Sequence, residues 1–389
     1  MRLFVRDLQS EILKSSRRFG AVVLSGPRRA GKTFLLRHAF PRASYHLLED
    51  PDILARVKAD PRGWLESVNT PAIVDEIQNA PELFSYIRTR IDEDRRKGRW
   101  LLTGSQDFSL MAGVSESMAG RAAVFHLAPL SFREVGSWSL LRGGFPEVVL
   151  RPRSANVWFA SYLQTYLERD VRALKAIRDL SAFRRFLSLL ASRHGQILNR
   201  SDLAAPLGIS VPTVSEWLGV LETTGQILLI PPYFENFGKR LIKSPKLYWM
   251  DSGLVCHLLG IETERQLERS PFLGPVFEGF IASEILKNQA NQGRRRELYF
   301  FRDEQGLEID FLAPGPRGSV RLIEAKWAKT VRPAMAEPLR KLVRAMKGRS
   351  VESLVVHRAP RSGPKLSILA PGVKALSVED FLGRFPGKL

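Results

Sequence analysis

The sequence predicts an α/β protein of three parts: a three-layer α/β domain, a helical segment with a helix-turn-helix, and a second α/β domain. Apolar strands alternate with helices over the first 135 residues, helical periodicity dominates residues 152–194, and strands return near residue 298. A chain of 389 residues is also too long for one ordinary core. We therefore predict three domains, at residues 1–150, 151–260 and 261–389.

The first strand leads into a phosphate-binding pattern. Residues 26–33 read GPRRAGKT and fit G-x-x-x-x-G-K-[ST], between an apolar run at 21–25 and a helical stretch that Pro41 ends. Such a loop directs backbone N–H groups at phosphates. Lys32 would reach the β- and γ-phosphates, and Thr33 would hold Mg²⁺. We expect ATP to contact Gly26, Pro27, Arg28, Arg29, Ala30, Gly31, Lys32, Thr33 and Phe34.

Acidic residues end the third predicted strand. The sheet is predicted from further strands at 44–48, 71–75, 100–104 and 122–127, with a helix from Pro81 to about Lys97. Hydrolysis needs a second metal contact and an oriented water as well as a phosphate loop. Asp75 would hold Mg²⁺ through its water shell, and Glu76 would polarise the attacking water.

Three further residues of this domain, at the end of one strand and the start of another, each have two interpretations. Thr103 and Ser105 follow the fourth strand and either sense the γ-phosphate or cap a turn. Arg121 precedes the fifth strand. It is either a catalytic finger that acts across a subunit interface, or an ordinary surface or phosphate-contacting arginine.

The middle segment fits a helix-turn-helix over residues 181–230. Asn199 would cap a short helix ending at Gly208, a second helix would run from Pro212 to Leu221, and Ile227 would begin a wing strand. The second helix is not basic. We expect Thr213, Ser215 and Glu216 to be its exposed polar residues, and Trp217 either packs or projects. Backbone contact with a nucleic acid and packing against protein both stay open. The nearby cations are Arg193, Arg200, Lys239, Arg240, Lys243 and Lys246.

The last segment contains a nuclease-like pattern. A helix is predicted from Val276, then strands at 298–301, 309–312, 320–325 and 353–356, with a helix at 333–346 before the last strand. Asp310 followed by Glu324-Ala-Lys326 matches the core of the PD-(D/E)xK pattern, and strand alternation puts Glu324 and Lys326 on one face. Asp310 and Glu324 could hold a second divalent metal while Lys326 steadies a water or phosphate. Glu278 or Glu284 would complete the site.

The chain resembles the bacterial and archaeal AAA-type ATPases that carry a DUF4143 region. Four motifs carry the ATPase resemblance: GPRRAGKTFLL, IVDEIQNAPELF, LLTGSQDFSLMAGVSESMAGR and PLSFREV. Four more resemble the DUF4143 region: TYLERDV, LETTGQILLIPP, SPKLYWMDSGL and GLEIDFL. The resemblance implies an ATPase of the additional-strand catalytic-glutamate class, with a winged helix and a PD-(D/E)xK nuclease-like end domain.

Charge, cysteine content and hydropathy limit the partners and the cellular compartment that we expect for this protein. A formal charge of +19 favours a phosphate-bearing partner, although a generally basic proteome gives the same excess. The single cysteine, Cys256, excludes an intramolecular disulfide and fits a reducing cytoplasm, where it would be a buried filler residue. No stretch approaches the ~20 apolar residues that span a membrane. We expect a cytoplasmic protein without a membrane partner.

These observations predict a Mg-dependent ATPase that couples hydrolysis to nucleic-acid binding, with DNA favoured over RNA and a homo-oligomer as one possible state. The first alternative is a nucleotide-gated regulatory or scaffold protein with an inactive nuclease-like domain. The second is an ATP-dependent metal nuclease. The sequence leaves open the nucleic-acid target, strand cleavage by the last domain and the biological pathway.

Overall fold

The computed structural model describes residues 4–104, 118–166, 179–233, 243–346, 348–358 and 366–385. Three sheets organise these residues: one of five strands, one of three and one of six. The three predicted parts of the chain each contain one of them, in the predicted order. Across the described ranges, no helix combines the length and the apolar character needed to cross a membrane.

Five parallel strands form the first sheet. They are β1 (Ala21–Ser25), β2 (Ser44–Leu47), β3 (Ala72–Asp75), β4 (Trp100–Thr103) and β5 (Ala122–His126). Their order is β2-β3-β4-β1-β5. Strands β1, β3 and β4 are buried throughout, which explains their continuous apolar runs. Strand β4 separates β1 from β3 and is the additional strand that the resemblance implies.

Helices cover this sheet, and three of them were not predicted. The helices are α1 (Gln9–Ser16), α2 (Lys32–Ala39), α3 (Pro51–Ala59), α4 (Pro61–Ser67) and α5 (Leu83–Glu93). The sequence analysis found α2 and α5 but not α1, α3 or α4. Asp50 caps α3, and Pro51 is its first residue. An Asp-Pro pair is also typical of a turn, which hides such a start.

The middle part is mostly helical. After α6 (Phe132–Val135) and α7 (Pro146–Leu150) come α8 (Ala155–Tyr166), α9 (Leu180–Ala191), α10 (Arg200–Ala204) and α11 (Val211–Thr223). Strands β6 (Gln196–Ile197), β7 (Ile227–Ile230) and β8 (Lys246–Trp249) form an antiparallel sheet in the order β6-β8-β7. Helices α12 (Ser252–Leu258) and α13 (Glu264–Arg269) follow.

The local details of the middle part agree with the predicted helix-turn-helix. The Asn199 side chain caps α10 and Ser210 caps α11, which ends two residues later than predicted. Trp217 packs edge-on against Phe183 and Phe186 and is buried, so it does not project. Much of the predicted motif TYLERDV lies outside the described residues, as do Lys239 and Arg240.

The last part is a six-stranded mixed sheet between helices. Its strands are β9 (Tyr299–Arg302), β10 (Glu308–Pro314), β11 (Val320–Lys326), β12 (Val351–His357), β13 (Leu366–Ala370) and β14 (Val373–Ser377). Their order is β13-β14-β12-β11-β10-β9. Helices α14 (Leu273–Asn291), α15 (Glu337–Ala345) and α16 (Val378–Arg384) pack on it, in two apolar clusters. β13, β14 and α16 were not predicted.

The middle and last parts share a hydrophobic core. One apolar cluster joins Phe183 and Leu218 of the middle part to Phe277, Phe311 and Phe381 of the last. The predicted boundary near residue 260 therefore falls between two sheets but does not divide their core. Cys256 lies in this cluster, and burial raises the pKa of its thiol to about 12.

Candidate nucleotide site and acidic cluster

The phosphate loop leaves the carboxyl end of β1 and enters α2. Gly26 has φ of 140° and Gly31 has φ of 98°. A Cβ atom on Gly26 would lie 2.2 Å from the Leu127 carbonyl oxygen, so only glycine fits there. Because α2 begins at Lys32, its first backbone N–H groups have no acceptor within the helix. The loop thus presents the positive end of a helix, which suits a phosphate.

Cations of the loop point in different directions. Lys32 is buried, and its Nζ donates to the carbonyls of Gly26 at 2.8 Å and Pro27 at 3.0 Å, so its charge lies over the loop. Arg28 pairs with Glu49 at 3.6 Å, and Arg29 pairs with Glu147 at 3.1 Å. The two loop arginines are thus each paired with a carboxylate, whereas the Lys32 ammonium is held by backbone carbonyls of the loop itself. Ala30 is buried and Phe34 is exposed.

Thr33 and Asp75 meet at the carboxyl edge of the sheet. The Thr33 hydroxyl donates to Asp75 Oδ2 at 2.7 Å, and the Tyr45 hydroxyl donates to the same oxygen at 2.9 Å. Asp75 is 2% exposed, and within the described residues nothing hydrogen-bonds its Oδ1. A buried carboxylate oxygen without a partner beside a hydroxyl is the kind of donor set that Mg²⁺ accepts. The residues present therefore fit the predicted metal.

Tyr45 is a contact that the sequence analysis missed. Burial and the adjacent Asp75 carboxylate raise the pKa of its hydroxyl well above the usual value, so it stays a donor. Its position follows from the pairing of β2 with β3 in parallel register, Tyr45 opposite Ile73. A lone Tyr in a predicted strand carries no signal of such a role.

Glu76 follows β3 in a left-handed conformation. Its φ is 58° and its ψ is 47°, which is uncommon for any residue other than glycine, and its carboxylate accepts from the Gln78 side chain. Such strain concentrates at functional sites, and it agrees with a catalytic position for Glu76. Thr103 ends β4, between β1 and β3, and its hydroxyl is buried without a hydrogen-bond partner in the described part of the chain. Ser105 lies outside that part.

Arg121 lies at the opposite edge of the sheet. Its carbonyl accepts from Ala21 N, at the start of β1, whereas the loop follows the end of β1. A five-residue strand separates these edges by ~16 Å. Its guanidinium pairs with Asp92 at 2.7 and 2.9 Å on the surface. Within one chain Arg121 therefore does not reach the phosphate loop, and a finger role would have to act between chains.

Arg6 supports the loop from below and was not predicted. Its Nη1 donates to the Ala30 carbonyl at 2.7 Å, its Nη2 to the Ala128 carbonyl at 2.7 Å, and its Nε to Glu134 at 2.8 Å. The side chain is buried. Arg6 therefore ties the loop to the segment that follows β5.

The last part brings together three of its predicted site residues. Lys326 Nζ lies 2.6 Å from Glu324 Oε2 and 3.4 Å from Asp310 Oδ2. Asp310 Oδ2 also accepts from Ala325 N at 2.9 Å. Burial and the Asp310 charge raise the pKa of Glu324 to about 8. Glu324 Oε1 is buried and finds no hydrogen-bond partner among the described groups.

Glu278 joins this cluster from α14, together with a lysine from another sheet. The Glu278 carboxylate accepts from the Tyr248 hydroxyl and from Lys246 Nζ, the latter at 3.0 Å. Lys246 also pairs with Glu308 at 2.5 Å. Burial and Asp310 raise the pKa of Glu278 to about 7. We call Glu278, Glu308, Asp310 and Glu324, with Lys246 and Lys326, the acidic cluster.

Glu284, the alternative to Glu278, lies elsewhere. It accepts from Phe132 N at 2.7 Å and from Lys287 at 2.9 Å, so it joins α14 to α6. In the structurally described ranges, no three His, Cys, Asp or Glu side chains are arranged to hold a metal ion as they stand. The acidic cluster therefore contains the predicted residues but is not arranged as a metal centre.

Comparison with known proteins identifies the family. Two proteins named only as uncharacterized, from Mycobacterium tuberculosis and Mycobacterium bovis, are each 34% identical to this chain over 314 residues, 78% of this chain and 70% of theirs. The family described as AAA domain matches residues 18–136, and two domains of unknown function match 138–265 (DUF8612) and 273–371 (DUF4143). The chain belongs to the AAA-type P-loop ATPases that carry a DUF4143 domain.

Membership of these ATPases confirms the resemblance and supports ATP binding and hydrolysis. It also refines the resemblance, since three of the four motifs ascribed to DUF4143 lie before residue 265, in the stretch that matches DUF8612. A Walker-type ATPase of Pyrococcus abyssi is 17% identical, with a TM-score of 0.43 over 66% of this chain and 96% of its own. RuvB of Thermotoga maritima is also 17% identical, with a TM-score of 0.29 over 58% of this chain and 86% of its own.

Proposed function

We propose that this ATPase hydrolyses Mg-ATP with Lys32, Thr33, Asp75 and Glu76. The hydrogen bond between Thr33 and the buried Asp75 carboxylate carries the proposal, because it joins the loop helix to β3 where Mg²⁺ would sit. Bound Mg²⁺ would neutralise charge on the phosphates. Thr33 and Asp75 would hold this Mg²⁺ ion, Asp75 through a water shell. Lys32 holds the β- and γ-phosphates, and Glu76 accepts the proton of the attacking water.

ATP turnover and ATP binding, measured separately, test this assignment. We expect Glu76→Gln to bind a fluorescent ATP analogue normally but to hydrolyse ATP at least ~10²-fold more slowly, since general-base loss costs that much. Lys32→Ala should lose both binding and turnover. Lys58→Ala, on the exposed side of α3, is the matched control. Unchanged turnover in Lys32→Ala would reject the proposed enzyme.

For the partner, we propose a nucleic acid, DNA before RNA, held through its phosphates by a winged helix. The middle part has the element order helix, strand, helix, helix, strand, strand that a winged helix requires. The exposed face of α11 includes Ser215 and Glu216, and α11 contains neither Lys nor Arg, so base reading by this helix is disfavoured. The exposed cations of the middle part include Arg184, Arg185, Arg193, Arg200 and Lys243.

Salt dependence separates this proposal from the scaffold alternative. Phosphate contacts predict duplex DNA affinity that falls more than ~10-fold between 50 and 200 mM salt. Arg184→Glu with Arg185→Glu should weaken it further. The same reversal at Arg340 and Arg344, exposed on α15, is the control. Absence of binding to DNA and RNA at low salt would favour a nucleotide-gated scaffold, which the acidic character of α11 also fits.

A nuclease role is the second alternative, and the convergence of Asp310, Glu324 and Lys326 favours it. Strand cleavage that Asp310→Ala abolishes while ATP turnover persists would establish it.

A homo-oligomer with Arg121 acting between chains is a separate proposal, based on its exposed position. It predicts that Arg121→Ala lowers turnover only at protein concentrations where the chain assembles, with Arg95→Ala as an exposed control.

A further inference from the structure

The Lys246 side chain extends from the three-stranded middle sheet into the acidic cluster of the last part. Its backbone pairs with Ile197 of β6 and Ile230 of β7, in the small middle sheet. Its ammonium nevertheless lies 3.0 Å from Glu278 on α14 and 2.5 Å from Glu308 on β10. The side chain is 4% exposed. Lysine is almost never buried this deeply unless it is paired.

Residues 231–233, which follow β7, hydrogen-bond to β9 of the six-stranded sheet. Tyr233 N donates to the Phe300 carbonyl at 2.7 Å, and Phe300 N donates to the Pro231 carbonyl at 3.1 Å. These bonds place residues 231–233 as an extra parallel bridge on β9, at the edge of the six-stranded sheet. These residues therefore help to hold the sheet that carries Lys246 against the six-stranded sheet.

The cluster has more carboxylates than cations. Four carboxylates face Lys246 and Lys326, with Arg302 at the rim, 3.2 Å from Glu308. The buried Glu324 Oε1 is not hydrogen-bonded by any described group. Glu278, one of the two carboxylates predicted to complete the metal site, is instead bound by Lys246 and Tyr248. An ammonium thus occupies the side of the cluster where Glu278 would meet a metal.

We propose that Lys246 is an internal cation that closes the acidic cluster to divalent metals in the folded chain. A metal bound by Glu278, Asp310 and Glu324 would lie beside the buried ammonium, and like charges repel strongly there. This inference does not depend on ATP hydrolysis.

Manganese binding tests the proposal directly. Mn²⁺ is titrated into the full-length chain without nucleotide and followed by electron paramagnetic resonance. We expect no Asp310-dependent site in the wild type and one Mn²⁺ per chain in Lys246→Met. Asp310→Asn in that background should abolish the gain. Lys243→Met, an exposed lysine three residues earlier, should behave as the wild type.

The following outcomes decide whether Lys246 closes the acidic cluster to divalent metals. An Mn²⁺ site in the wild type that Asp310→Asn removes would overturn the proposal, and so would a folded Lys246→Met chain that gains no site. If Lys246→Met does not fold, Lys246→Gln keeps a hydrogen-bond donor for Glu278 and is tested in the same way. A Tm that rises with Mn²⁺ in Lys246→Gln, but not in the wild type or in Lys246→Gln with Asp310→Asn, supports the proposal; no such rise overturns it.

Discussion

The Thr33 hydroxyl, in the first turn of α2, and the Asp75 carboxylate, at the end of β3, are joined by a 2.7 Å hydrogen bond. β4 separates β3 from β1, the strand that leads into the Thr33 loop, yet the two side chains meet because parallel strands end at one edge of the sheet. Asp75 keeps one buried oxygen without a partner in the described structure. This geometry gives the pair a defined role toward a metal, and that role can be measured.

Asp75→Asn should reduce the response of turnover to Mg²⁺. The amide keeps an oxygen for the Thr33 and Tyr45 hydroxyls but removes the charge that attracts the cation. We expect kcat to fall about 10²-fold and the Mg²⁺ concentration for half-maximal rate to rise. Asp52→Asn, exposed on α3, is the control. An unchanged Mg²⁺ dependence would remove Asp75 from the metal site.

Arg6→Ala should raise the KM for ATP as well as lower stability. The substitution leaves the Ala30 and Ala128 carbonyls and Glu134 without their buried guanidinium, at a cost of about 3–5 kcal/mol of unfolding free energy. Urea unfolding and ATP kinetics measure the two effects. Arg133→Ala, which removes an exposed pair with Asp7 at 3.8 Å, should change neither by much. Loss of stability with an unchanged KM would make Arg6 purely structural.

The nucleotide site could be predicted because its residues follow one another in short motifs at strand ends. The phosphate loop and Asp75-Glu76 carry their signals within a few residues, and parallel strands bring the two together. Arg6 carries no such signal, since its partners are carbonyls 24 and 122 residues away. A guanidinium bound to backbone has no sequence pattern of its own.

The acidic cluster was predictable only in part, for a related reason. Asp310, Glu324 and Lys326 lie on adjacent strands of one sheet and fit a known spacing. Lys246 follows the wing and looks like one of several surface cations in a basic chain. Only the docking of one sheet on another brings it to Glu278, and that packing depends on distant apolar residues rather than on local sequence.

Glu324→Gln should make the chain relatively more stable as pH rises. The pKa of Glu324 is about 8 in the folded chain, above its ordinary 4.5, so the folded state binds more protons than the unfolded state between these values. Stability from this group therefore falls as pH increases through that window. Glutamine has no proton to lose. We expect the Tm of the variant minus that of the wild type to increase from pH 5 to pH 8.5.

A matched control and a clear contrary result accompany this pH experiment. Glu304→Gln, an exposed acid before β10, should give a Tm difference that does not vary with pH. A flat difference for Glu324→Gln as well would mean that Glu324 is ionised throughout the range. The negative surplus inferred for the acidic cluster would then be wrong.

Gly225→Ala should weaken ATP binding through the phosphate loop. Gly225 follows α11 with φ of 70°, and a Cβ atom there would lie 3.2 Å from the His126 ring and 3.4 Å from Pro27 Cδ. Gly208 has φ of 65°, and no described atom lies within 4 Å of its Cβ position. Both alanine variants should lose about 1–2 kcal/mol to left-handed strain. Because Gly225→Ala alone crowds the His126 ring, which hydrogen-bonds Ser25 directly before the loop, we expect only this variant to raise the ATP KM several-fold. Equal KM values in the two variants would show that the middle part does not influence the loop through this contact.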